Sequence, residues 1–271
     1  MGSVAATGES MQETSSPQPA DGTFEALHSL LLWRPAKAGH WPGLEMCVTT
    51  RAGGTSPPPF AALNLGVGTG DAPANVEANR ARLRQHLGLG NYDWQRLRQV
   101  HGAQVLRAPG AEEREADGLW TDRPGCVLVV GVADCVPVFI WDARRRCIAL
   151  LHAGWRGTAA DIVCRGLDAM QQAGSLPHDL WLAMGPSIGP CCYAVGPEVA
   201  ARFPDAIVAD ATAVHLDLRR ANGLRARAWG VPAPQVAANP PCTACDSARF
   251  YSHRKLGPRT GRHWALAWMA T

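Results

Sequence analysis

The chain has 271 residues, 46% of them hydrophobic, with 26 Lys and Arg against 23 Asp and Glu for a formal net charge of +3. So small a charge, with no long basic block, gives no electrostatic reason to bind nucleic acid, and no apolar run is long enough to span a bilayer. A chain of this size and hydrophobicity can bury most of the apolar surface of its unfolded state.

Residues 1–25 are rich in Ser, Pro and Gly and are expected to form a disordered tail. They lack the basic and apolar regions of a secretory signal, so a cytoplasmic protein is expected. Nine cysteines cannot all pair internally, and Cys126, Cys147 and Cys164 have apolar flanks that suit buried, reduced thiols. With no repeat and no internal linker, residues 26–271 read as one compact mixed α/β domain.

Residues 44–50 predict a strand leading into a Gly- and Pro-rich loop, 51–59, that cannot be regular structure. Asp71 is expected to cap a helix over 73–87, which Gly88 closes. A short strand ending in 98–102 precedes a second over 105–107, and Ala116-Asp117-Gly118 reads as a turn. Next come two apolar runs that look like buried strands. Residues 126–132 run up to Cys135, and 147–151 run up to His152, the two being joined through 136–141 and a turn at 142–145. Thr158 is expected to cap a helix to residue 173, with Ala159, Ile162, Val163, Gly166, Leu167 and Met170 on one face. A strand over 180–184, a Gly/Pro-rich loop over 185–193, a helix from Asp217 to Trp229 and a last strand over 263–269 complete the chain.

His101, Cys135 and His152 each sit where an apolar segment meets a glycine or a turn. Two imidazoles and a thiolate suit zinc, and three protein ligands leave a fourth tetrahedral position open, as catalytic sites require. A competing reading makes Cys135 a nucleophilic thiolate, with His152 as base and His101 or Asp134 as orienter. Arg51 and Arg156 are candidate contacts to phosphate or carboxylate, and Trp155 either stacks on an aromatic base or packs. Cys242-x-x-Cys245 has no second such pair, so packing is the expected role; the same holds for Cys191 and Cys192.

Seven segments occur in order: Thr49-Thr50-Arg51-x-Gly53-Gly54, Leu63-Asn64-Leu65-Gly66, Gln99-Val100-His101-Gly102, Ala133-Asp134-Cys135-x-Pro137, the His152–Gly157 run, the Gly185–Tyr193 loop and Cys242-Thr243-x-Cys245-Asp246. Together they resemble the laccase-domain family, also called the multicopper polyphenol oxidase and now the purine nucleoside phosphorylase family. The resemblance runs from about residue 40 to the end.

The resemblance implies a single domain with mixed β-sheets sandwiched between helices, in α/β/β/α layers. It implies one zinc ion, or copper in its place, on His101, Cys135 and His152, with Arg51, Asn64 and Arg156 as substrate contacts. The implied substrates are a purine nucleoside and phosphate, handled by a monomer. Activities implied are phosphorolysis of adenosine, guanosine or methylthioadenosine and deamination of adenosine. Alternatives are a cysteine amidase editing peptidoglycan precursors and a copper-dependent polyphenol oxidase. The nine histidines include no His-x-His pair, which argues against a full multicopper set. Ala194 stands where many relatives carry Glu, which leaves substrate preference open.

Overall fold

A computed structural model describes residues 21–36, 41–209 and 213–271. In chain order the first half runs β1 (Gly22–Leu27), β2 (Leu30–Pro35), β3 (Leu44–Thr49), α1 (Pro73–Leu87), β4 (Asp93–Arg96), β5 (Val105–Arg107), β6 (Gly118–Thr121) and β7 (Cys126–Val132). It continues with β8 (Val136–Asp142), β9 (Cys147–Ala153), α2 (Trp155–Ala159), α3 (Ile162–Gln172) and β10 (Leu180–Met184). The remainder is α4 (Pro197–Ala200), β11 (Ile207–Ala209), β12 (Val214–Leu216), α5 (Leu218–Trp229), β13 (Val236–Ala237), α6 (His253–Leu256) and β14 (His263–Met269).

Two six-stranded sheets form the centre, in the orders β1-β2-β3-β14-β7-β4 and β13-β10-β8-β9-β6-β5. The central strands β7, β8, β9 and β14 are buried almost throughout because both sheet faces are covered there, and successive side chains separate the layers. From β7, Leu128, Val130 and Val132 enter the core between the sheets, while Val127 and Val129 face the core that holds Leu83 of α1. From β8, Phe139 and Trp141 enter the core between the sheets. Val138 and Ile140 pack instead with Ile162, Val163 and Leu167 of α3 and Ala221 of α5. The expected α/β/β/α layering follows from this alternation.

Helix α1 and strands β10 and β14 span the residues the sequence predicts. So does α5, where the Asp217 carboxylate accepts the N–H groups of Arg219 and Arg220.

Four expectations need correction. Residues 1–20 of the expected tail lie outside the described residues, but Gly22–Glu25 pair with Leu32–Pro35 in a hairpin. Asp71 does not cap α1 at the first turn's N–H groups; its carboxylate accepts from Ala72 N–H and the Asn75 amide. The helix expected from Thr158 is two helices, because Asp161 takes a left-handed backbone (φ 61°) and breaks it. Thr158 is buried inside α2, where its hydroxyl accepts from the Asn222 amide. The strand expected to reach residue 102 stops at Arg96 and gives way to a loop.

His263, at the start of β14, is fully enclosed. Its Nε2 accepts the Tyr251 N–H at 2.7 Å, which requires the neutral ring. Burial and the nearby Arg51 push its pKa down to about 3. The folded chain therefore holds fewer protons here than the unfolded chain below pH about 6.5, so this stability is present above that pH and is lost as pH falls towards 3. Between pH 7 and pH 5 the loss is ~2 kcal/mol, measurable by denaturant unfolding, and His263→Gln should flatten that part of the profile.

Candidate active site

The chain passes from the first sheet to the second between β4 and β5, and again between β7 and β8. His101 lies in the first crossing and Cys135 in the second. His152 comes from β9, and the β8–β9 register, Pro137 opposite His152 and Val136 opposite Ala153, brings it beside Cys135. The Cys135 Sγ and one ring nitrogen of each histidine all lie within 4.8 Å of one another. The histidine rings meet edge to face, with centroids 4.9 Å apart. His152 is buried, Cys135 half-buried and His101 exposed, so the group is closed behind and open in front. Gly154 makes this packing possible: a Cβ there would stand 2.9 Å from Cys135 Sγ and 3.5 Å from His101 Cδ2.

Asp117, fully buried before β6, organises both histidines. Its carboxylate accepts the N–H groups of Val100, His101 and Gly102 at 3.2, 3.0 and 2.6 Å, and so fixes the loop in which His101 adopts φ 58°. The same carboxylate lies 2.8 Å from His152 Nδ1. Burial alone would raise its pKa, but His152 and the loop N–H groups hold it below the usual carboxylate range. Ionised Asp117 thus accepts a hydrogen bond from Nδ1–H of His152, which leaves Nε2 as the nitrogen available to a metal ion.

Charge on the site follows the same geometry. Burial would push the Cys135 thiol up, but His152 and His101 outweigh it and lower the pKa towards the thiolate. Burial likewise disfavours a charged His152, yet Cys135 and Asp117 on either side raise its pKa.

In front of the three residues lies a cavity of about 720 Å³. Its lining carries five arginines, at positions 80, 96, 98, 254 and 262, against the two carboxylates of Glu113 and Asp134. Tyr193 forms part of the wall, with the Arg254 guanidinium 4.8 Å over its ring. Gln99 seals another part by exchanging two hydrogen bonds with the backbone of Gly131.

His101, Cys135 and His152, expected at one opening, lie together, whereas Asp134, offered with His101 as an alternative orienter of His152, is engaged elsewhere. The Asp134 carboxylate accepts from Thr243 and Ser252 hydroxyls and the Arg254 N–H, so it anchors loops; Asp117 orients His152. Asp117 was legible only as part of a turn, although a metal-binding histidine calls for a carboxylate or carbonyl on its other nitrogen.

Arg51 and Asn64, expected as substrate contacts, do not line the cavity. Arg51 donates to the carbonyls of Ala61 and Ser247 and sits over Tyr251. Asn64 is buried, and its side-chain oxygen accepts the N–H groups of Gly66 and Arg262, two residues that do line the cavity. Arg156 is exposed and stacks 4.4 Å over Trp155, which packs against the core under α3. Cys191, Cys192, Cys242 and Cys245, expected as separate packing residues, gather into a second group.

Residues 45–270 match the family described as multi-copper polyphenol oxidoreductase laccase. The chain belongs to this laccase family. Among its relatives, the Geobacillus stearothermophilus protein named purine nucleoside phosphorylase YlmD is 35% identical, over 86% of this chain and 93% of its own. A Deinococcus radiodurans protein named purine nucleoside phosphorylase is 40% identical, over 80% and 86%. The crystal structure of YlmD superposes with a TM-score of 0.86 at 33% identity, covering 93% of this chain and all of the other. A Bacillus licheniformis protein, YfiH, gives a TM-score of 0.83 at 30% identity. Within this laccase-family chain the His101, Cys135 and His152 group can hold a metal ion. Among the described residues no helix is long and apolar enough to cross a membrane.

Replacing Asp117 by Asn keeps the shape but removes the charge and lets the amide present an N–H to the loop. Affinity for a divalent metal at His101, Cys135 and His152 should fall about 10- to 100-fold, read by chelator competition. An unchanged affinity in a folded variant would show that Asp117 does not tune the site.

Proposed function

We propose that this chain is a purine nucleoside phosphorylase carrying one zinc ion on His101, Cys135 and His152, and that it works as a cytoplasmic monomer. The observation that carries the reading is the open face of this group, turned into a cavity whose lining is rich in arginine. Its volume lies within the range of roughly 300–1,000 Å³ usual for small-molecule sites. Two imidazoles and a thiolate form a donor set suited to zinc, and the fixed tautomer of His152 supports it. When bound, zinc would act as a Lewis acid towards an oxygen of substrate or water.

The reaction needs an anion placed against a sugar carbon. A phosphate oxygen bonds to C1′ of the ribose, the C1′–N bond to the base breaks, and its electron pair leaves on the purine, which takes up a proton. The products are free purine and ribose 1-phosphate. Arg254, with Arg98 paired to Glu115, supplies charge for the phosphate, and the backbone of the half-buried Arg262 is held in place by Asn64. The Tyr193 ring gives an apolar surface for the base. A water held at the same place would supply the oxygen for deamination of adenosine to inosine, the C6 amino group leaving as ammonia.

A second reading is favoured by one observation: Cys135, His152 and Asp117 stand in the order of a thiol nucleophile, its base and the base's orienter. A metal-free chain would then be a cysteine hydrolase, and zinc would inhibit it by occupying the thiolate.

Purified protein incubated with adenosine should release adenine and ribose 1-phosphate only when phosphate is present, as resolved by chromatography. Cys135→Ala should abolish the products, and Arg254→Ala should raise the KM for phosphate about 10-fold or more while the nucleoside KM moves less, as expected for loss of a charged contact worth ~1.5–3 kcal/mol. Activity that rises when zinc is stripped would favour the hydrolase.

A further inference from the structure

We propose that Cys191, Cys192, Cys242 and Cys245 form a second metal centre, a closed tetrahedral tetrathiolate site for one zinc ion that staples two loops beside the cavity. All four are free thiols, and their sulfur atoms all lie within 4.8 Å of one another. Cys191 and Cys192 each place Sγ 3.4 Å from Cys245 Sγ. Four sulfurs at 2.3 Å from zinc would stand about 3.8 Å apart, so one ion fits with little movement.

The backbone is shaped for negative sulfur. Gly189 N–H donates to Cys242 Sγ at 3.2 Å. A backbone N–H aimed at a sulfur suits a thiolate ligand better than a neutral packing thiol. The adjacent cysteines reach the same point because residues 189–193 form a tight turn, in which Cys192 and Tyr193 both donate to the Gly189 carbonyl. The turn is tightly packed at Gly189, where a Cβ would meet Arg219 Nη2 at 2.8 Å, Cys191 Sγ at 3.2 Å and Cys242 Cβ at 3.3 Å.

Four sulfurs leave no open position, so the centre is structural. The loops it would join both hold the turn that carries Cys135. Ile188 N–H donates to the Asp134 carbonyl, and the Thr243 hydroxyl donates to the Asp134 carboxylate at 2.6 Å. Fixing the loops fixes the thiolate of the first site.

Zinc per chain, measured by elemental analysis of the purified full-length protein, tests this independently of the catalytic reading. Two zinc ions are expected in the parent, one in Cys135→Ala, and one in Cys242→Ser with the first site retained. Cobalt(II) added to metal-free Cys135→Ala should give thiolate-to-cobalt charge-transfer absorption that is absent from Cys135→Ala/Cys242→Ser. A Cys135→Ala protein that takes up neither ion would overturn the proposal. So would a disulfide among the four cysteines in zinc-free protein that zinc and reductant together fail to convert. Should Cys242→Ser not fold, alkylation of the parent decides: zinc must protect these four cysteines and a chelator must expose them. Labelling indifferent to zinc would refute the site.

Discussion

One carboxylate holds the active-site region together. Asp117 is buried, ionised and satisfied by three consecutive N–H groups of the 100–102 loop and by the Nδ1 side of His152. A buried charge without such partners costs several kcal/mol, so the carboxylate and the loop form together or not at all. The left-handed backbone of His101 is strained on its own, and these bonds sustain it. Loop conformation, ring tautomer and ring direction are therefore one structural event rather than three.

The electrostatic character of the pocket follows from that arrangement. Behind it lie the negative Asp117 and the Cys135 sulfur, each paired with imidazole; in front lie arginines held by ring stacking, by backbone carbonyls and, for Arg96 and Arg98, by Glu113 and Glu115. Arg80, for example, donates twice to the Leu65 carbonyl and rests against Trp264, so its charge is in place before any ligand arrives. Asp134 does different work from its neighbour in sequence. It gathers two loops and a helix start, and leaves the adjacent Cys135 free to face the cavity.

The central strands and most helices were legible because their signals are local. Residues 126–132 and 263–269 are apolar runs bounded by turns, 73–87 is bracketed by proline and glycine, and Asp217 is a capping residue in its usual place. The grouping of His101, Cys135 and His152 was legible from strand ends and motif order. What escaped depends on distant partners. Asp161 breaks a regular amphipathic pattern with one left-handed residue tied to Arg225 across the fold. Asp117 reads as a turn until its loop is seen. Arg51 and Asn64 carry the right chemistry for a substrate contact, but the carbonyls and amides that engage them belong to segments far along the chain. The cysteine cluster escaped because two of its members are neighbours in sequence, and only a tight turn points both sulfurs the same way.

Two of the three residues at the candidate metal site sit where the chain leaves one sheet for the other, and the third belongs to the second sheet. The ligand triangle consequently works as a gauge of how the two layers are registered. A sideways slip of one layer over the other, of the size that follows from emptying a place such as that of Phe139 or Trp141, would stretch one edge of the triangle before it disturbed any single strand. Affinity for an ion at this spot is then a property of the whole sandwich, and the interior between the layers belongs to the catalytic apparatus as much as the groups that face solvent.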